Sequence, residues 1–334
     1  MFNQLKLRIL AVGMALVLPT AGWGEVNFAQ KPLAAGGGVE PNLMFMLDDS
    51  GSMRWGFMPD ELMSDRDLGN CVSYVAYGGD EYCAMNVGDR SQLLSPTYNK
   101  LYYNPDVTYE PPLKADGTSY PDSDFYSAPI NGFDNNSAEV NLNTSYRAIM
   151  DDYYYYGDWN DNTIYGFTVS PDAGPVQAFY LDWTEGCSDP ESFSCYTQVA
   201  ITDDPGRQNF ANWFSYYRTR EMAAKSGIGT VFSNPELSTD FRLGWGEINQ
   251  GKHTVDGADV RGVIAGVRPF EDVKTEFLSW LYGGNADGST PLQRALEGAG
   301  KYYENSDRAW LDDPSQSKST TNVERECRLS ATML

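Results

Sequence analysis

Leu43 to Leu47 reads LMFML, five apolar residues in a row, with Asp48-Asp49-Ser50-Gly51-Ser52 directly behind them. A strand that is apolar on both faces has to be covered on both faces. That is the condition of an inner strand in a parallel sheet flanked by helices, whereas a half-wet antiparallel strand would alternate. The later part of the chain supplies the partners such a strand needs. Asp204-Pro205 opens a helix, with a capping-type residue ahead of the proline, and Phe210, Trp213, Phe214, Tyr217, Ala224 and Ile228 continue it as one stripe. Phe241 to Ile248 (FRLGWGEI) predicts a strand. Val273, Phe277, Leu278 and Leu281 predict an amphipathic helix, and Leu292, Leu296, Ala299 and Tyr303 another. Leu329 to Leu334 (LSATML) begins a last strand. Strands alternating with helices indicate an α/β fold with a doubly wound, mostly parallel sheet.

Residues 54–207 have a different character. They are rich in Tyr, Asp, Asn, Gly and Pro and carry few long periodic segments. This stretch reads as a loop-rich insertion with short β-hairpins. Its tyrosines, among them the run Tyr153-Tyr154-Tyr155-Tyr156, suit a binding surface because Tyr offers large contact area at low entropic cost. Packing between hairpins is their simpler use.

The N-terminus reads as an export signal over residues 1–24: Lys6 and Arg8, the apolar run Ile9–Leu18, Pro19, then the small residues Ala21, Gly22 and Gly24. The run is too short to span a bilayer. Residues 25–40 form an extended lead-in. Export places five cysteines in an oxidising compartment. Cys71 with Cys83 and Cys187 with Cys195 are close pairs, expected to be local disulfides within the insertion. Neither has C-x-x-C spacing, which argues against zinc and thioredoxin-like chemistry. Cys327 is left without a local mate.

The formal charge is −22, from 24 basic and 46 acidic side chains. Such a chain is repelled by phosphate backbones and anionic membranes. The one histidine, His253, sits in Lys252-His253-Thr254 and reads as a solvated loop residue. A single imidazole leaves little room for His-based metal sites or Ser-His-Asp catalysis.

The chemistry concentrates behind the first strand. In an extended turn alternate residues point to one side, so Asp48, Ser50 and Ser52 converge as one carboxylate and two hydroxyls. Such a sparse oxygen set suits Mg²⁺, which keeps several waters. The carboxyl end of a parallel strand is where α/β sheets place ligands. Far downstream, Asp287-Gly288-Ser289-Thr290-Pro291-Leu292 puts Thr290 at a helix start with its hydroxyl presented from a loop. Three rival readings exist. Asp49-Ser50-Gly51-Ser52 fits the D-[ST]-G-S of an aspartic protease, but that chemistry needs a second carboxylate loop, and no second copy occurs. A phosphatase of the haloacid dehalogenase type would need an acid where Ser50 stands. A purely structural secreted protein would leave the serine loop without a ligand. Asp158, Asn160 and Asp161 crowd oxygen groups but lack the register of a calcium loop.

PNLMFMLDDSGSM resembles the opening of a von Willebrand factor A domain, whose metal-ion-dependent adhesion site begins D-x-S-x-S, and GSTPLQRALEGAGKYY resembles that family's threonine loop and following helix. With the export signal, SPTYNKLYYNP, FANWFSYYRTREMAAKSGIGTVF, FRLGWGEIN and ECRLSATML, the chain is similar to the N-terminal region of PilY/PilC-type type IV pilus biogenesis proteins. The resemblance implies a von Willebrand factor A-like domain over 41–53 and 208–334, split by the insertion at 54–207. It implies an Mg²⁺ (or Mn²⁺) site at Asp48, Ser50, Ser52 and Thr290, with a third-loop aspartate expected after the strand that begins at Arg328, past Leu334. It also implies a Ca²⁺ site in the parent's propeller region, and no enzymatic activity. The expected setting is the periplasm to the cell surface, in pilus assembly, tip adhesion, surface sensing and twitching motility. The expected partners are pilus components (minor pilins) and a surface or host receptor engaged through an acidic group.

Overall fold

The computed structural model describes residues 41–63, 90–151 and 176–304, together with four strands at 73–77, 80–86, 165–170 and 332–333. The export signal, the lead-in, the Cys71–Cys83 pair, Tyr153–Tyr156, Asp158, Asn160, Asp161 and Cys327 lie outside the residues whose side chains are described. In chain order the strands are β1 (Asn42–Leu47), β2 (Ser73–Tyr77), β3 (Asp80–Asn86), β4 (Ala128–Pro129), β5 (Glu139–Val140), β6 (Ala148–Asp151), β7 (Tyr165–Ser170), β8 (Phe179–Trp183) and β9 (Tyr196–Ala200). After helices α1 (Asp204–Tyr216) and α2 (Arg220–Ser233) come β10 (Arg242–Glu247), β11 (Lys252–Val255), β12 (Ala258–Arg261) and β13 (Val263–Pro269). Helices α3 (Phe270–Gly283) and α4 (Leu292–Glu304) and strand β14 (Thr332–Met333) complete the order.

The apolar run is an inner strand, as its composition requires. β1 pairs in parallel with β10 on one side, Leu47 opposite Glu247, and with β14 on the other. β13 pairs antiparallel to β10 at the edge, so the sheet order is β13–β10–β1–β14. Alternate residues of β1 enter different cores. Phe45 and Leu47 pack with Leu243, Trp245, Phe232 and the α3 residues Phe277, Leu278 and Leu281. Met44, fully buried, packs with Val263, Val267 and the α4 residues Ala299 and Tyr302. Helices therefore cover both faces. Phe45 meets Phe277 edge to face at 5.6 Å, a contact worth about 0.5–1.5 kcal/mol beyond the area it buries.

Three expectations change on this scaffold. The stripe expected as one helix from Phe210 to Ile228 is two helices, because Thr219 caps a new one by accepting from the Met222 N–H. Arg218 is buried in the break, donating to the Phe214 carbonyl at 2.7 Å and to the Ile130 carbonyl. The final helix turns a different face inward from the one its leucines suggested. Leu292 and Leu296 are 56% and 57% exposed, while Ala295, Gly298, Ala299 and Tyr302 are buried. The reason is backbone contact: α4 lies so close to β12 that a Cβ at residue 298 would collide with the Arg261 carbonyl, so only a small-residue face fits. His253 is not in a loop but in β11, which pairs with β12 through a two-residue Asp256-Gly257 turn, both at positive φ. That is the geometry a tight hairpin demands. The β11–β12 hairpin and β13 were not legible as strands.

The described part of residues 54–207, expected as a hairpin insertion, is built from strand pairs, but not hairpins alone. β2–β3, β4–β5, β6–β7 and β8–β9 are antiparallel, whereas β3 and β7 pair in parallel. Its core joins Tyr102, Tyr103, Tyr146, Phe179 and Leu181 to Phe210, Trp213 and Phe214 of α1. These tyrosines serve packing: the Tyr102 hydroxyl donates to the Phe179 carbonyl at 2.8 Å and meets the Tyr146 hydroxyl at 3.0 Å. Cys187 and Cys195 form a disulfide across the β8–β9 loop, Cα atoms 5.7 Å apart.

Candidate functional site

The chain leaves β1 into a tight turn at the carboxyl ends of β1 and β10. Asp48, half-buried, uses Oδ1 to accept the Ser50 N–H at 2.9 Å. That bond curls the loop so that the Ser50 and Ser52 hydroxyl oxygens lie 3.1 Å apart. Ser50 is 2% exposed and Ser52 half-buried. For an octahedral cation with metal–oxygen bonds of roughly 2.0–2.1 Å, neighbouring ligands sit about 2.9 Å apart. The two hydroxyls, which share a hydrogen bond at 3.1 Å, lie near that separation, and the donor set is all oxygen, as a hard cation wants.

The downstream loop is brought to the same place. Ser50 and Gly288 form a parallel bridge: Gly51 N–H donates to the Gly288 carbonyl at 2.8 Å, and Gly288 N–H to the Asp49 carbonyl at 3.1 Å. Thr290 lies two residues on, exposed, just ahead of α4. All four sequence-selected residues therefore stand on two loops joined by backbone hydrogen bonds, although about 240 residues separate Ser52 from Thr290 in the chain.

Sequence reasoning missed what holds the loops. Asp49, 8% exposed, turns away from the hydroxyl pair, and its Oδ1 accepts both the backbone N–H and the Nδ2 of Asn249 at 3.0 Å. Asn249 also donates to the Ser289 carbonyl and accepts from the Ser289 hydroxyl at 3.2 Å. One amide behind β10 thus clasps both loops. The signal was available: Asn249 follows the FRLGWGEI strand just as Asp48 follows LMFML. The carboxylate that the protease reading needs is committed to this clasp.

Glu247, opposite Leu47 in the sheet, adds charge to the same end. Trp280 Nε1 donates to its Oε1 at 2.9 Å. Burial first, then the charges of Asp49 and Asp287, hold its carboxyl above the usual carboxylate range, against Trp280 and Lys225. Lys225 is itself 2% exposed, paired with Glu221 at 2.6 Å and donating to the Gly284 carbonyl. Among the described residues no group of three or more His, Cys, Asp or Glu is placed to hold a metal by itself. A cation here would rest on Asp48 and hydroxyl oxygens.

Comparison with known proteins gives one consistent result. The chain is 30% identical over 308 residues to the type IV pilus biogenesis factor PilY1 of Pseudomonas aeruginosa strain UCBPP-PA14. It is 29% identical over 303 residues to the protein of that name from strain PAK. Each match takes in 88% of this chain, which spans 23% of the length of those relatives. No family model matches the chain, and no solved structure does.

Proposed function

We propose, from the premise that this chain is a homologue of the PilY1-type pilus biogenesis factors, that it acts in type IV pilus biogenesis outside the inner membrane as an adhesion-type module of the von Willebrand factor A class. Its site takes Mg²⁺ or Mn²⁺ on Asp48, Ser50, Ser52 and Thr290, and the cation takes an acidic group of a partner, a pilus component or a surface receptor. The role is non-enzymatic. When bound, the cation supplies an electrophilic position for a partner carboxylate. The chain's own residues fix where that position lies: Asp48 gives the one charge, Ser50 and Ser52 the paired hydroxyls, Thr290 a hydroxyl from the opposite loop.

The observation that carries this reading is the joining of the two loops by Gly51 and Gly288 at the carboxyl end of a parallel strand pair, where open α/β sheets bind ligands. The sheet order, three parallel strands with one antiparallel edge, supports it as well. Among the described residues no helix is long and apolar enough to cross a membrane.

Titration calorimetry with MgCl₂ and MnCl₂ tests the site. Asp48→Ala is expected to abolish binding, and Ser52→Ala and Thr290→Ala to weaken it less, each removing a neutral oxygen rather than a charge. Cation at 100 times its Kd should stabilise the folded state by about 2.7 kcal/mol. Unchanged affinity in Asp48→Ala overturns the assignment.

A further inference from the structure

On the insertion, away from the cation loops, a cleft of about 680 Å³ opens between the loop after Tyr103, the end of β9 and the start of α1. That volume falls within the ~300–1,000 Å³ of ordinary ligand sites. We propose that it binds a basic, Lys- or Arg-bearing peptide segment of a partner protein. The residues that would hold it are Tyr103, Tyr109 and Tyr180 on the walls and Glu110, Asp122 and Asp203 among them.

Three observations select this ligand. The first is charge. Three carboxylates line the cleft, and no Lys, Arg or His does. One of them, Asp203, adds to the burial and the Tyr180 ring that push the Tyr103 phenol up, against the hydrogen bond from Asn209. The second is the supply of hydrogen-bonding groups. The amide donors of the cleft are already used. Asn209 Nδ2 donates to the Val107 carbonyl at 2.8 Å while its Oδ1 accepts the Tyr109 N–H at 2.7 Å. Asn212 Nδ2 donates to Asp122 at 2.9 Å while its Oδ1 accepts the Ser123 N–H at 2.9 Å. What remains is carboxylate oxygen, ring face and the hydroxyls of Thr108, Tyr109 and Tyr180. Tyr103, buried and packed on Phe210, lies 5.9 Å from Tyr109 and 6.0 Å from Tyr180, centroid to centroid, and backs the more open rings of those two tyrosines. Ring faces and anionic acceptors together recognise a cation that only donates, as ammonium and guanidinium do.

The third observation favours a peptide over a small amine. Val199 and Ala200 of β9 line the cleft, and among the described residues β9 has β8 as its single strand partner. Val199 stands opposite Tyr180 in the β8–β9 register, so the cleft lies on the face of this strand pair, and its volume exceeds what one ammonium or guanidinium group fills, leaving room for the segment that carries it. The cleft is also preformed. Asn209 pins the 107–109 loop to α1, and Trp213 Nε1 holds the Leu101 carbonyl at 3.0 Å, so little ordering entropy opposes binding.

Fluorescence anisotropy with a labelled hexa-arginine peptide, the full chain, about 0.15 M salt and EDTA provides the test; EDTA makes it independent of the cation site. Glu110→Gln with Asp203→Asn should weaken binding about tenfold, the scale of two partly exposed ion pairs. Asn keeps the helix cap that Asp203 supplies to Gly206, so the fold is retained. Glu236→Gln with Glu276→Gln, the same charge loss at exposed sites elsewhere, should change binding less than twofold. Tyr180→Ala should weaken it and Tyr180→Phe should not. Equal effects of the two double variants, no hexa-arginine binding, capture of maltohexaose instead, or equal displacement by spermine at matched charge would each overturn the proposal.

Discussion

Tyr302→Phe removes one oxygen from the face of the sheet opposite the aromatic core, and its cost can be worked from the contacts. The Tyr302 side chain is fully buried. Its hydroxyl donates to Asp256 Oδ2 at 2.8 Å and accepts the Val267 N–H at 2.7 Å. Burial first, and the Asp256 charge next, push the phenol pKa up, so the hydroxyl remains a donor at neutral pH. Phenylalanine keeps the ring and leaves the Val267 N–H buried without that acceptor, about 1–3 kcal/mol. A bond to a charged acceptor is also lost, roughly 1.5–3 kcal/mol. The second term stays near its lower end, because Arg268 still grips Asp256 with a fork at 2.9 and 2.6 Å. The sum is about 3 kcal/mol. At about 2–4 °C per kcal/mol for a chain of this size, calorimetry should show Tm lower by roughly 6–12 °C. A double-mutant cycle with Asp256→Asn should give a coupling above about 0.5 kcal/mol. Because α4 begins just after Thr290, amide exchange in α4 should quicken in the variant. A Tm loss under about 2 °C, or no coupling, would refute the reasoning.

Other perturbations test other parts. Glu247 has its folded pKa raised, so its proton favours the folded state; that stability is full below the unfolded pKa and is lost as pH rises through the folded one. In EDTA, Glu247→Gln, which keeps an acceptor for Trp280, should therefore be more stable than the parent above that window and show a flatter urea-midpoint profile against pH; an unchanged slope would count against it. Asn99 is fully buried and makes four bonds, donating to Gly56 and Leu93 carbonyls at 2.9 and 2.8 Å and accepting from Met58 and Leu101 at 3.0 and 3.1 Å. Asn99→Ala should cost about 3–4 kcal/mol by urea unfolding, and a loss under about 1 kcal/mol would contradict the clamp. Replacing Cys187 and Cys195 by serine frees a loop of eight residues' separation, which should cost about 2.5 kcal/mol, read as a lower Tm and faster proteolysis between β8 and β9.

How far the sequence reached depended on whether one segment's own pattern carried the information. LMFML announced an inner strand because burial on both faces leaves no polar position. α3 announced its buried face because Val273, Phe277, Leu278 and Leu281 do face the core. α4 misled because its inward face was chosen by backbone proximity at Gly298, which selects small residues, not by the leucines. Asp256-Gly257 is a local hairpin signal that went unread in a stretch of modest hydrophobicity. At the site, the D-x-S-x-S pattern singled out Asp48, Ser50 and Ser52, although Ser52 stands in a 3-10 turn (Gly51–Arg54) and not in the extended turn that alternation assumed. The Asn249 clasp was not visible, since its meaning depends on Asp49, 200 residues earlier, meeting it across the sheet.

Backbone contacts of another kind explain how some 150 residues can lie between Ser52 and the helix that begins at Asp204 without loosening the Ser50–Ser52 loop. Closing a long loop costs little more than closing a short one, because the entropy grows only with the logarithm of length; what matters is whether the two ends are fixed. Here they are fixed to each other. Gly56 N–H donates to the Met150 carbonyl at 2.7 Å, and Arg220 N–H to the Trp55 carbonyl at 3.0 Å. The Arg220 guanidinium then donates twice to the Phe57 carbonyl, at 2.9 and 2.8 Å, pairs with Asp60 at 2.5 Å, and lies over the Trp55 ring at 4.8 Å. The strap that leaves the Ser50–Ser52 loop is thus anchored to the first turn of α2 within a few residues of Ser52. Motion farther out in the insertion has to break this staple before it reaches the hydroxyl pair. The carbonyls that Arg220 holds belong to the backbone, while the Asp60 carboxylate and the Trp55 ring are side chains, so the position requires a forked donor and depends on those two strap residues. Lysine, a single point charge without a fork, could not hold the Phe57 carbonyl with two bonds and lie flat on Trp55 as well.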